Sequence, residues 1–258
     1  MLAILLLVAF ISFPLFSGLV APLVPQQVVD AVGAEMIKDT ASQGSFCVAP
    51  EGKAALQKMA GRIAPHIGDY ELKIYVSDQE VFNAFAAPGG HIVIYQQIIA
   101  HSDGPNEVAG VLAHEVGHVI EDHPTKGLVE AVGYGIFSAM TPGSDDTKRV
   151  AKSLLTSAYS RNDELEADRR GVELLNAAGI DSRGLFSFFD RIKQAGDQIP
   201  GALQFLSTHP SGETRRENLE DVALEGEPSL TDEEWKALEN ICSEKGLPQP
   251  VIVRGTVD

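Results

Sequence analysis

The feature that most constrains this chain is a His-Glu-x-x-His motif, formed by His114, Glu115 and His118 inside an apolar stretch. Residues 108–120 have the hydrophobic periodicity of an amphipathic helix. Positions four apart share one face of a helix, so both imidazoles can point at one metal ion. Neutral imidazole binds zinc well, and the glutamate is placed to take a proton from a metal-bound water. The motif therefore predicts a zinc site; two surface histidines flanking a solvated glutamate are the weaker interpretation.

The composition is that of an acidic protein with a sizeable core. The chain has 258 residues, of which 44% are hydrophobic. Its formal net charge of -16 and the lack of a basic cluster argue against nucleic acid as a partner. Cys47 and Cys242 fit no zinc ribbon or redox pair. They are either two free thiols or, in an oxidising compartment, a disulfide, and the disulfide is slightly favoured.

The N-terminal segment carries no charge from residue 2 to residue 24, and its length suits one membrane crossing. A cleaved signal peptide is the alternative, but the segment has no Lys or Arg, and its best cleavage residue, Ala21, precedes Pro22. We expect residues 1–25 to be a transmembrane anchor or an uncleaved signal. Residues 26–258 would then form the metal-binding domain, on the outer side of the membrane.

Hydrophobic periodicity predicts a mainly helical domain with a few strands before the metal-binding helix. Helices are expected at residues 26–38, 51–63, 147–178, 182–195, 212–224 and 232–244, the last opened by a capping box. Strands are expected at residues 70–76, 81–86 and 91–95, the last two flanking a Pro-Gly-Gly turn. Residues 128–140 are apolar but too short to cross a bilayer, so a helix or a mobile lid is expected there.

Two histidines do not complete a zinc site, because a zinc hydrolase usually has three protein ligands. A metzincin would have a histidine six residues after His118, where this chain has Pro124, so that class is excluded. His123 lies five residues beyond His118, off the ligand face, and is expected to be a helix-end residue that forms a hydrogen bond rather than a metal contact.

A carboxylate from a later helix is the other source of a third ligand. Glu164 and Asp168 are four residues apart, so one can bind metal while the other holds a ligand histidine by its second ring nitrogen. Glu166 lies three and four residues before Arg169 and Arg170, which predicts a surface ion pair. A solvated helix face that carries all these acids is the alternative, and spacing alone does not decide between them.

These residues resemble the membrane-associated zinc endopeptidase family that includes HtpX, the CAAX prenyl endopeptidases and BepA. Its pattern is His-Glu-x-x-His followed by Glu-x-x-Ala-Asp, often preceded by Ser-Arg. This chain has Ser160 and Arg161, then Glu164, Ala167 and Asp168. Residues 83–90 are similar to the family's stretch before the active helix, and residues 207–210 with Arg215 resemble the BepA-like branch.

The resemblance implies an α+β fold, mainly helical and zincin-like, with a small sheet before the active-site helix. It implies that one Zn²⁺ is held by His114, His118 and Glu164, and that Asp168 is the carboxylate behind a ligand histidine. Glu115 would be the catalytic base.

Two further residues are catalytic candidates on the same grounds. His209 and Arg215 are the groups expected to stabilise the oxyanion. In the BepA-like branch the histidine can occupy the fourth zinc position, which would make His209 a self-inhibiting latch. As alternatives, His209 enters a helix and Arg215 forms a salt bridge.

The expected substrate is extended polypeptide, bound as an added strand along Asn83, Ala84, Phe85 and Ala86. The implied function is a zinc endopeptidase for unfolded or misassembled cell-envelope proteins, anchored in the inner membrane with its domain in the periplasm. A periplasmic protein released by signal cleavage is the alternative location. A chaperone that rarely cleaves and a processing protease for one partner are the alternative functions. The chain lacks the several membrane helices of HtpX, which argues against deeply embedded substrates.

Overall fold

The computed structural model describes residues 17–132, 141–195, 199, 201–209, 219 and 221–256. In this part of the chain, helices pack around one mixed six-stranded sheet, which confirms the α+β expectation. The helices are α1 Gln26–Gln43, α2 Pro50–Ile63, α3 Gln96–Ala100, α4 Pro105–Ile120, α5 His123–Val132, α6 Asp145–Leu155, α7 Arg161–Ala177, α8 Gly184–Ala195, α9 Ala202–Thr208 and α10 Asp232–Glu239. The strands are β1 Phe46–Cys47, β2 Glu71–Ser77, β3 Ala84–Ala87, β4 His91–Tyr95, β5 Lys245–Gly246 and β6 Val251–Arg254.

The sheet runs in the order β3-β4-β2-β1-β5, and β6 pairs with β2. Strands β2 and β4 are parallel, whereas β3 and β4 form an antiparallel hairpin. Gly89 and Gly90 make its turn with φ of 80° and 76°, a backbone region that glycine enters at little cost. Among the strands of the described residues, β3 therefore lies at one end of the sheet, and it contacts α4.

Helix α4 runs through the core and is buried along nearly its whole length. It packs most closely on α7, because glycines stand at their contact. A Cβ on Gly117 would come within 2.5 Å of the Ala167 carbonyl oxygen, and one on Gly171 within 3.1 Å of the Ala113 backbone. This close approach brings α7 side chains up to the motif histidines.

The prediction of a single helix at residues 147–178 was wrong, because the structure has two helices, α6 and α7, with a break at residues 156–160. Ser160 begins the second helix with a capping box: its hydroxyl accepts the Asp163 N–H at 3.2 Å, and the Asp163 carboxylate accepts the Ser160 N–H at 3.0 Å. This local cap outweighs the continuous apolar periodicity on which the longer helix was predicted.

Other predicted elements are present with shifted ends. The strand predicted at 81–86 begins only at Ala84, and the helix predicted at 232–244 ends at Glu239, after its expected capping box. Most of the helix predicted at 212–224 lies outside the described residues, and residues 221–224 are not helical. Of residues 128–140, the first five complete α5, and residues 133–140 lie outside the described part.

Residues 1–16 of the predicted anchor also lie outside the described residues. The residues that follow pack on the domain: Ser17, Ala21 and Val24 are buried, the last two beside Leu128 and Val129. Within the described ranges, no helix is both long and apolar enough to span a bilayer.

Cys47 on β1 and Cys242 near the C-terminus form a disulfide. The bridge joins positions 195 residues apart, so it ties the end of the chain to the first strand. Of the two states that the sequence left open for these cysteines, the structure contains the disulfide.

Candidate metal centre

The two motif histidines point their outer nitrogens at one another from successive turns of α4. Their Nε2 atoms are 3.0 Å apart, and both side chains are almost fully buried. Two imidazole nitrogens at this distance either share one proton or bind a common cation, so the remaining members of the cluster decide between the two.

Glu164, in the first turn of α7, faces this pair. Its carboxylate oxygens lie 3.6 Å from His114 Nε2 and 3.4 Å from His118 Nε2. The side chain is completely buried. The imidazoles of His209 and His118 hold the pKa of Glu164 well below its usual range, although burial alone would raise it.

His209 completes the cluster from the end of α9. Its Nδ1 lies 3.3 Å from His114 Nε2 and 3.2 Å from a Glu164 oxygen. Its Nε2 lies 3.2 Å from the Ala84 carbonyl oxygen on β3, to which it donates. Burial would lower the pKa of His209, but the carboxylates of Glu164 and Glu115 outweigh burial and raise it to about 9.

The four side chains fit a tetrahedral zinc ion. Zinc bonds of about 2.0–2.1 Å place neighbouring ligand atoms about 3.3 Å apart. With one oxygen of Glu164 as the ligand atom, separations of 3.0, 3.3, 3.4 and 3.2 Å among His114, His118, Glu164 and His209 cluster around that value. The donor atoms are imidazole nitrogens and one carboxylate oxygen, the ligand types that zinc prefers. This cluster can therefore hold one Zn²⁺ ion.

Asp168 lies where the sequence pattern suggested. Its carboxylate accepts a hydrogen bond from His114 Nδ1 at 2.8 Å, and both groups are buried. A carboxylate on Nδ1 fixes the ring and leaves Nε2 free to bind metal.

His123 lies at a helix end and is hydrogen-bonded, but it begins a new helix rather than ending α4. Helix α4 ends at Ile120, Asp122 has a left-handed φ of 58°, and His123 begins the next helix. This turn carries the buried His123 ring back to His118, with their Nδ1 atoms 2.9 Å apart.

The predicted ion pairing of Glu166 with Arg169 and Arg170 was wrong. Glu166 lies 3.2 Å from His123 Nε2 instead. Arg169 pairs with Glu173, and Arg170 with Glu173 and with Glu121 across the helix interface. The spacing rule misses this because tertiary neighbours compete with neighbours along the helix.

Glu115 lies beside the cluster and is completely buried. One of its oxygens is 3.7 Å from His209 Nε2, and among the described residues neither oxygen meets hydrogen-bond criteria with a partner. Burial raises the pKa of Glu115, although the imidazoles of His209 and His114 oppose the rise. A carboxylate with a raised pKa beside a metal site is suited to accept and return a proton.

Sequence reasoning missed Tyr159, which lies in the break between α6 and α7. Its ring stacks on His118 with centroids 3.9 Å apart, and its hydroxyl donates to the Ala86 carbonyl oxygen at 3.3 Å. No motif marks this residue; only its place directly before the Ser160 cap could have drawn attention to it.

The predicted substrate residues Asn83, Ala84, Phe85 and Ala86 lie along β3, next to the cluster. Antiparallel pairing with β4 uses alternate backbone groups, and the Ala84 and Ala86 carbonyls face away from β4. A cavity of about 930 Å³ is lined by all four residues and by Tyr159 and His209. Arg215 lies outside the described residues.

Comparison with known proteins gives a consistent result. Residues 50–223 match peptidase family M48, and the match includes the motif helix, α7 and His209. The chain is 31% identical over 155 residues to the mitochondrial metalloendopeptidase OMA1 of Arabidopsis thaliana, covering 58% of this chain and 31% of that protein. It is 30% identical over 161 residues to OMA1 of Schizosaccharomyces pombe, covering 60% and 48%.

A bacterial relative is the beta-barrel assembly-enhancing protease of Yersinia pestis, which is 25% identical over 173 residues, 61% of this chain and 35% of that protein. The matched region thus spans about a third to a half of the length of these relatives. Because the family match extends over well more than half of the chain, the chain belongs to peptidase family M48, a family of metallopeptidases.

Proposed function

We propose that this protein is a zinc-dependent endopeptidase in which His114, His118 and Glu164 hold the metal. The observation that carries the proposal is the convergence of these three buried donors beside a buried glutamate. Charged and polar groups are costly to bury without a partner, so such a cluster in a core needs a compensating charge.

When bound, zinc supplies Lewis acidity, which acidifies a water molecule and polarises the carbonyl that this water attacks. Glu115 accepts the proton of the attacking water and delivers it to the nitrogen of the leaving amine. Burial raises the pKa of Glu115, and a raised pKa favours both the uptake and the return of this proton. Asp168 keeps His114 in the tautomer that presents Nε2.

His209 has two roles in this proposal. In the resting protein its Nδ1 lies within the cluster, where it would contact a bound zinc ion and keep the attacking water out, as a latch. Once the ring swings away, its N–H is available, with Arg215, to stabilise the oxyanion of the tetrahedral intermediate.

Substrate binds as an extended strand along the outer edge of β3. Backbone pairing with Ala84 and Ala86 does not depend on the side chains of the substrate, so many substrate sequences can bind. This favours unfolded or misassembled polypeptides as substrates and quality control as the role. The carbonyls of Ala84 and Ala86 are engaged by His209 and Tyr159, so these two side chains must move when a substrate strand pairs there.

We place the protein in the cell envelope, with its uncharged N-terminal segment as the membrane anchor and the domain on the periplasmic side; residues 17–25 pack on the domain and are not part of the anchor. The Cys47–Cys242 disulfide supports an oxidising compartment, and one group of relatives bears the name beta-barrel assembly-enhancing protease. Cleavage of the N-terminal segment would leave the same domain free in the periplasm.

The decisive experiment compares the wild type with Glu115→Gln for zinc content and for cleavage of unfolded casein. The variant should keep its zinc and lose at least about 100-fold in rate, since general-base catalysis contributes roughly 10²–10⁴-fold. Glu173→Gln, which removes an exposed glutamate from α7, is the matched control and should cleave normally.

Equal cleavage by the wild type and Glu115→Gln would show that the proposed base is wrong. If the wild type and a His209→Ala variant both bind zinc and unfolded chains but neither cleaves, the protein is a chaperone rather than a protease.

A further inference from the structure

The Nδ1 atoms of His114 and His118, on the side of each ring away from the proposed metal, have different partners. His114 Nδ1 meets the Asp168 carboxylate directly, at 2.8 Å. His118 Nδ1 meets another imidazole, His123 Nδ1, at 2.9 Å. The far side of that second ring, Nε2, lies 3.2 Å from a Glu166 oxygen and 3.4 Å from an Asp163 oxygen.

The proton positions in this chain of groups follow from the metal. If His118 Nε2 binds zinc as a neutral ligand, its remaining proton is on Nδ1. Two nitrogens 2.9 Å apart share one proton, so His123 Nδ1 is the acceptor and the proton of His123 is on Nε2. That N–H then points to carboxylate oxygens of Glu166 and Asp163, which are acceptors.

We propose that His123 is a positioning residue, which accepts the Nδ1 proton of His118 and relays to that ligand the orienting effect of Glu166 and Asp163. The inference rests on the proposed function and adds His123, which lies behind His118, to the residues that support the zinc site. His123 thus fixes the tautomer and the ring plane of His118, as Asp168 does for His114.

The surroundings leave the His123 ring little freedom. The ring is buried and sits at the start of α5, directly after the left-handed turn at Asp122. Tyr159 stacks on His118, so that ring is confined both at its face and at its Nδ1 edge.

Helix α7 then supports all three ligands. It provides Glu164 itself, Asp168 behind His114, and Asp163 with Glu166 behind His123 and His118. Glu164 is buried and carries the metal contact, whereas Asp163 and Glu166 are at the solvent-facing edge of the same turn. Side chains of α7 therefore support both motif histidines.

The group of His123, Asp163 and Glu166 also has the spacing of a metal site of its own. A metal on His123 Nε2 would, however, leave the proton of this ring on Nδ1. That N–H would face the N–H of His118, and two donors at 2.9 Å repel each other. A metal at this outer group and zinc at His118 thus exclude one another while both rings are neutral.

The test measures zinc affinity by competition with a chelator, using the full chain. His123→Phe should lower affinity by about 10–100-fold, the usual loss when the hydrogen-bond partner of a ligand is removed. His123→Asn places an amide oxygen near the Nδ1 position and should recover most of the affinity. The Asp163→Asn/Glu166→Gln double variant should show a smaller loss, and Glu173→Gln, on the same helix but away from His123, none.

Nitrogen NMR of the zinc-loaded wild type gives a second reading that depends on no variant. It should find the His118 proton on Nδ1 and the His123 proton on Nε2. The opposite tautomer at His123 would overturn the proposal, as would wild-type affinity in His123→Phe. So would two zinc ions per wild-type chain with one lost in that variant.

Failure of the proposed function is distinguishable from failure of this inference. A wild type that binds no zinc would remove the metal centre itself. Normal zinc binding and cleavage that His123→Phe leaves unchanged would remove only the relay.

Discussion

Replacing Gly117 with alanine should enlarge the metal site of His114, His118 and Glu164, because it separates α4 from α7. An alanine Cβ at this position would lie 2.5 Å from the Ala167 carbonyl oxygen and 3.0 Å from its Cα, whereas ordinary contacts begin at 3.4 Å. The atoms in the way are backbone, so no rotamer change relieves the clash, and α7 must retreat by roughly 0.9 Å along this line. Ala167 lies between Glu164 and Asp168, so both carboxylates move with it.

The size of the effect can be worked from this distance. Overpacking costs about 1–3 kcal/mol, and the better helix propensity of alanine returns about 1 kcal/mol, so the metal-free protein should lose about 0–2 kcal/mol. At about 2–4 °C per kcal/mol, Tm falls by at most about 8 °C. Zinc binding should weaken far more, because an error of about 1 Å in a preorganised site costs on the order of 100-fold.

Gly61→Ala is the matched control, since it is also a helical glycine but has no atom within 4 Å of the new Cβ. It should raise the stability by about 0.4–1 kcal/mol through the unfolded state and leave zinc affinity unchanged. Both variants are compared by thermal unfolding with chelator present and by chelator competition for zinc. If Gly117→Ala bound zinc as tightly as Gly61→Ala, the close contact of α4 and α7 would not determine the size of the metal site.

Two further predictions concern stability away from the metal. The Cys47→Ala/Cys242→Ala double variant should lose about 2–5 kcal/mol in urea unfolding, because the disulfide closes a long loop in the unfolded chain; an unchanged midpoint would contradict this. Burial and the charge of Lys73 lower the pKa of His91 to about 4, so the unfolded chain binds its proton first as pH falls. Stability from neutral His91 should be complete above about pH 6.5 and be lost toward pH 4, by up to about 3 kcal/mol. His91→Gln should flatten this fall relative to the wild type, and identical pH profiles would refute it.

The parts of the site that sequence could predict are those set by helix geometry alone. His114 and His118 share a face because they are four residues apart, and Glu164 and Asp168 share one for the same reason. The spacing rule says only that each pair shares a face, and nothing local says that the two pairs meet. That contact depends on the glycines between α4 and α7, and at the sequence level the resemblance to zinc endopeptidases was what pointed to it.

The parts that sequence reasoning missed are those placed by breaks in the helices. If α4 continued through residue 123, His123 would point away from the metal site. The chain instead turns at Asp122, so the imidazole of His123 reaches His118. The interruption before Ser160 likewise releases Tyr159 to stack on the other side of the same ring. Both residues therefore owe their positions to irregular backbone beside a regular scaffold. Since periodicity describes only the regular part, it identifies the ligands of this site better than the groups that hold those ligands in place.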